Sequence, residues 1–178
     1  MAIDLVLEFL HRVPLFAGLT PEQIAEIGRG AQRRAFRKGE VIAEAGALGD
    51  GAYLILAGDV ICRTGPDGWG PTEPVEPGSL VGELAMLVEY DYGSTVIAQG
   101  WVDCVKLERA TLLDQMRADP DVADRIADTI RGRLTLVAAE LQIIDGLLMR
   151  SIEHSPDAHL GLLPLQTGYA PASASLTQ

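Results

Sequence analysis

The segment Gly78-Ser79-Leu80-Val81-Gly82-Glu83-Leu84-Ala85-Met86-Leu87, followed by Ser94-Thr95-Val96-Ile97-Ala98, holds the residue types most able to do chemistry. It reads as a turn, a short helix beginning near Gly82, a loop and a strand. The first turn of a helix leaves backbone N–H groups unpaired, and Glu83 puts a carboxylate beside them. This spacing leaves two roles open. Glu83 caps the helix, or the carboxylate and amides together hold a small polar or anionic ligand. Catalysis has fewer ingredients. His11, His154 and His159 are the histidines, all outside residues 31–107, so neighbouring strands have no imidazoles to offer a metal. No Ser or Cys stands near a His base, and no two carboxylates fall on one expected face. Cys62 and Cys104 are too few for a disulfide framework and too isolated for a metal knuckle, so they read as buried free thiols. The chain is expected to be non-enzymatic and metal-free.

The elements that position this segment differ along the chain. Residues 3–12 form an amphipathic helix, interrupted by Asp4, Glu8, His11 and Arg12 where a secretory signal would be cleanly apolar. Thr20-Pro21-Glu22-Gln23 is a capping box with proline at the first helical position, and Ile24 and Ile27 follow at helical spacing. From 31 to 107 the texture changes to short apolar runs: Val41–Ala43, Tyr53–Leu56, Val60–Cys62, Thr95–Ala98 and Val102–Val105. Glycine-rich separators, including a hairpin tip at Gly65–Gly68, divide them, as in a β-sandwich or jelly roll. Leu112, Leu113 and Met116 make a short amphipathic piece, and Asp119-Pro120-Asp121 restarts the chain.

A longer helix then covers 121–149. Ala127, Ile130, Leu134, Val137, Leu141, Ile144 and Leu148 repeat at alternating spacings of three and four, an a/d seam. Such a strict period favours a partner helix, and self-pairing into a homodimer is the simplest arrangement. Gly132 and Gly146 weaken the helix but fall on its outer face. Residues 1–150 are thus expected to form the folded domain and 151–178 a flexible tail, dotted with Pro156, Pro164 and Pro171. Within the tail, Leu160-Gly161-Leu162-Leu163-Pro164-Leu165 is an apolar island suited to docking a larger protein.

Charge narrows the partners. Of 178 residues, 25 are acidic and 14 basic, for a formal charge of −11. At long range such a chain repels nucleic acids and anionic membrane surfaces. No stretch has the run of apolar residues that a membrane span needs. The cytoplasm is the expected location.

The glutamate segment resembles the phosphate-binding cassette of cyclic nucleotide-binding domains. Lys38-Gly39-Glu40-Val41-Ile42 through Tyr53-Leu54-Ile55-Leu56-Ala57-Gly58-Asp59-Val60 is similar to that family's glycine-punctuated strands, and Leu15-Phe16-Ala17-Gly18-Leu19 to its opening motif. The resemblance spans roughly residues 12–148. It implies a mainly β fold, an eight-stranded jelly roll (double-stranded β-helix), with N-terminal helices and a long C-terminal helix serving as lid and dimer seam.

In that family Gly-Glu-Leu-Ala leads to an Arg, two small residues and a Thr-Val-x-Ala strand. The Glu holds the ribose hydroxyl, the Arg pairs with the cyclic phosphate, and amides of the small residues complete the cradle. By resemblance the ligand site is therefore Gly82, Glu83, Leu84, Ala85, Tyr92, Gly93, Ser94 and Thr95. The Arg position falls on Tyr92, next to Asp91, and no Lys or Arg occurs from Gly78 to Ala98. Removing a buried bidentate Arg–phosphate pair costs about 2–5 kcal/mol. Binding of cAMP or cGMP is thereby weakened unless Arg63, Arg109 or another distant cation reaches in. The resemblance implies a catabolite-activator-like sensor without the DNA-binding domain, since no basic recognition helix follows Arg150. The alternative is a ligand-independent scaffold that dimerises and docks through its tail.

Overall fold

A computed structural model describes residues 2–64 and 70–153, giving the backbone alone for 2, 3, 146 and 148–153. The hairpin tip expected at 65–68, His154, His159 and the apolar island 160–165 lie outside the described residues. Helix α1 (Ala2–Arg12) is followed by a 3-10 turn at Pro14–Phe16 and by α2 (Pro21–Arg29). The capping box at α2 forms in both directions: the Gln23 amide N–H donates to Thr20 Oγ1, and the Thr20 N–H to Gln23 Oε1.

The strands are β1 (Gln32–Phe36), β2 (Val41–Ala43), β3 (Gly51–Ala57), β4 (Val60–Thr64), β5 (Thr72–Val75), β6 (Leu80–Val81), β7 (Ser94–Ala98) and β8 (Val102–Glu108). Helix α3 (Glu83–Leu87) lies between β6 and β7, and α4 (Arg109–Ala118) and α5 (Pro120–Glu153) follow β8. The strands pair antiparallel into two four-stranded sheets, β1-β8-β3-β6 and β2-β7-β4-β5. This is the jelly-roll order, and the fold has the helices expected before and after it.

Strand alternation sorts the core into two clusters. Ala52, Leu54 and Leu56 of β3, with Val105 and Leu107 of β8, face Leu10, Phe16, Ile24 and Ile27 of the N-terminal helices. Ile55, Val102 and Cys104 point the other way, into the space between the sheets, against Val60, Val96 and Ala98. Lys106 shares the parity of Val102 and Cys104 and is buried.

Helix α5 begins by closing the first cluster with Val122 and Ile126, and Ile130 packs at its margin. Gln23 Nε2 of α2 donates to Asp119 Oδ2 at 2.8 Å, fixing the corner between α4 and α5. Residues up to Thr135 form one compact unit, and Leu136 starts a second. Helix α5 exceeds the expected 121–149 by one residue at its start and by four at its end, closing at Glu153. No described helix is long and apolar enough to cross a membrane.

Candidate ligand-binding site

Gly82 is where strand β6 must become helix α3, and it does so at φ 81°, a left-handed conformation open to glycine. Space also demands glycine here. A Cβ on Gly82 would lie 2.7 Å from Tyr92 Cε1 and 3.1 Å from the Gly51 carbonyl oxygen. The turn therefore packs the start of α3 closely against Gly51 of β3 and the Tyr92 ring.

Around this turn lies a cavity of about 430 Å³, bounded by Leu80–Ala85 and Tyr90–Ser94. Seven of the eight residues assigned by resemblance line it: Gly82, Glu83, Leu84, Ala85, Tyr92, Gly93 and Ser94. Thr95 does not. Its Oγ1 accepts from the Ala45 N–H at 3.1 Å and anchors the loop after β2. Gly93 has no atom within 4 Å of where its Cβ would be, so the cavity stays open on that side.

Tyr92 lines the cavity but directs its hydroxyl inward, donating to the Gly51 carbonyl oxygen at 2.9 Å. Burial, and after it Tyr53 and Asp50, push the Tyr92 phenol above its ordinary pKa, so it stays neutral. The one proton that the Tyr92 side chain can donate is thus already committed to the backbone.

A cation reaches Glu83 from α5. Arg133 Nη1 donates to Glu83 Oε1 at 2.6 Å, both side chains about one-third exposed. Neither arginine singled out from the sequence takes this place. Arg63 sits on β4, paired in register with Thr95 and Thr72. Arg109 Nη1 instead donates to three carbonyls: Gly49 at 2.9 Å, Ala85 at 3.1 Å and Val88 at 2.9 Å. It ties the C-terminal end of α3 to the loop before β3. Arg133 lies 50 residues from Glu83 in sequence, and no local spacing could have linked them.

Lys106 completes the surroundings. Its Nζ reaches Asp50 Oδ2 at 2.5 Å and stands 5.8 Å from the centre of the Tyr53 ring. The hydrogen bond from Lys106 holds the Asp50 carboxyl below its ordinary pKa, against a smaller opposing effect of burial. A depressed folded-state value stabilises the fold above the unfolded pKa, about 3.9, and that contribution is lost as pH falls through the folded value. Asp50→Asn should therefore be less stable than the native chain near neutral pH. The gap should close below about pH 4, in urea midpoints measured across pH. Parallel curves would show that the pair contributes nothing. Cys104 is inert by comparison, its thiol pushed up to about 12 chiefly by burial.

Comparison with known proteins agrees with this fold. The family model described as cyclic nucleotide-binding domain matches residues 33–119. The chain is 33% identical over 135 residues to a candidate potassium channel protein of Rhodopseudomonas palustris, covering 74% of this chain and 33% of that one. It is 32% identical over 133 residues to the cyclic AMP receptor protein of Thermus thermophilus, covering 74% and 62% respectively. The chain therefore spans less than two thirds of either relative. Among solved structures, the N-terminal domain of a transcriptional regulator from Streptomyces coelicolor A3(2) superposes with a TM-score of 0.68 at 29% identity, covering 74% of this chain and 93% of that one. The Thermus thermophilus catabolite activator protein gives 0.57 at 31% identity, covering 74% and 63%.

Proposed function

Residues 33–119 place the chain in the cyclic nucleotide-binding domain family, and from that premise we propose that it is a non-enzymatic regulatory module that converts ligand uptake beside Glu83 into a movement of α5. The contact between Arg133 and Glu83 carries this reading. A ligand presenting ribose-type hydroxyls to Glu83 shares that carboxylate with the Arg133 guanidinium, which bonds Oε1. Occupancy then changes what holds α5 at that turn, and the ligand shifts the helix by its differential affinity for the two arrangements. Cyclic AMP or cyclic GMP is the ligand class the family suggests, held weakly because Tyr92 brings no charge to a phosphate.

The output surface in this reading is a second copy of the chain. Along α5, Leu134, Val137, Leu141 and Ile144 are 63%, 52%, 61% and 51% exposed, a continuous apolar row beyond the turns that close the core. Ile130 is partly taken up by the domain itself, so the proposed seam starts at Leu134. Residues 1–150 would act as the sensor, in the cytoplasm, with 151–178 as a tail able to engage a larger protein. The same apolar row also favours the second reading, a scaffold that dimerises without ligand control.

Amide hydrogen exchange over 127–135 separates the two. With cAMP or cGMP at about millimolar concentration, enough to fill a weakened site, exchange around Arg133 should rise in the native chain. Arg133→Ala should still bind while the ligand-dependent change disappears. Ligand binding that leaves this stretch unaltered in the native chain would leave the scaffold.

A further inference from the structure

Charge inside the cavity runs against an anionic guest. Its charged lining consists of Glu83 and Asp91, and Glu89 borders the adjoining cleft at Tyr90–Gly93. Among the described residues Arg133 is the cation in contact with Glu83, and its guanidinium is paired with that carboxylate. Lys106 is paired with Asp50, and Arg109 is held by the carbonyls of Gly49, Ala85 and Val88, so a phosphate would enter beside Glu83 and Asp91 with no described cation turned toward it. The space against Gly82 is already occupied by the Tyr92 ring, whose hydroxyl is bonded to Gly51. What remains suits a neutral polyol with a flat apolar part. Glu83 accepts from hydroxyl groups, Leu84 and Tyr90 offer faces 55% and 54% exposed, and about 430 Å³ accommodates a nucleoside-sized molecule.

We propose that this cavity selects an uncharged ribonucleoside over the corresponding 3′,5′-cyclic phosphate. The inference rests on the reading above that the cassette holds a ribose-bearing ligand, and it names which kind. Titration calorimetry of the full chain with adenosine, guanosine, cAMP and cGMP tests it. Each nucleoside should bind at least about tenfold more tightly than its cyclic phosphate, and added salt should narrow the gap by screening the carboxylates. Asp91→Asn, at an exposed position, should narrow it as well. Tyr92→Arg should reverse the order. Tighter binding of the cyclic phosphates by the native chain would overturn the selectivity while leaving the ligand reading intact. Binding of cyclic phosphates by Tyr92→Arg alone, with the native chain taking none of the four, would also overturn it. Failure of both proteins to bind any of the four would remove the ribose-site reading itself.

Discussion

Replacing Gly58 with alanine should lower the stability of the domain by about 3 kcal/mol. Two effects add. Gly58 turns the chain from β3 into β4 at φ 104°, where an L side chain costs about 1–2 kcal/mol. Its Cβ would also lie 2.3 Å from the Trp101 carbonyl oxygen and 2.8 Å from Val102 Cα. Both obstacles are backbone of the neighbouring β8 region, so neither can swing aside, and overpacking of this kind adds about 1–3 kcal/mol. The sum is a large part of the 5–15 kcal/mol typical of a whole domain. Gly93→Ala is the matched control, since nothing approaches its Cβ within 4 Å and its φ is not positive. It should change the urea midpoint by no more than about 0.5 kcal/mol equivalent. Equal midpoints for the two variants would contradict the close passage of the 57–59 turn over Trp101.

The second large effect concerns association. Val137→Asp combined with Leu141→Asp places two carboxylates on adjacent layers of the proposed seam. Bringing two copies together would then bury like charges, raising the dimer dissociation constant by at least about a thousandfold. The fold itself should be untouched, because both side chains are more than half exposed in the single chain. Sedimentation equilibrium gives the mass, and circular dichroism checks that helix content is kept. A native chain that sediments as a monomer at tens of micromolar, roughly the range reached by weak assemblies, would refute the pairing before any substitution is made.

How much of this was legible beforehand depended on how local each signal is. The α2 capping box needs four adjacent residues and was readable at Thr20–Gln23. Strands β2, β3, β4, β7 and β8 carry apolar runs because they supply the two core clusters, and those runs announce them. Strand β1 does not: Gln32-Arg33-Arg34-Ala35-Phe36 lies at a sheet edge with its middle three residues exposed, so burial imposes no alternation. Strand β5, Thr72–Val75, contains Pro74, tolerated because that strand is also an edge. Strand β6 is two residues long and has no pattern to read.

The candidate site divides in the same way. Glu83 and its neighbours stood out because turn, helix and strand are contiguous. That residues 78–98 hold neither Lys nor Arg could be read directly. The arrival of Arg133 could not, because it depends on how α5 lies across the cassette after the intervening strands have folded. The inward turn of the Tyr92 hydroxyl was equally hidden, since its acceptor is a backbone oxygen of β3.

The position of Arg109 gives the cassette a second mechanical root. Its side chain grips Gly49, Ala85 and Val88, while its own amide donates to the Asp50 carbonyl at 2.8 Å. It is also the first residue of α4. Lifting α3 off the barrel must therefore either rupture these bonds or drag the strand-to-helix corner with it, so a displacement beside the ligand cavity is delivered to α4 through a rigid crank rather than dissipated in a loop.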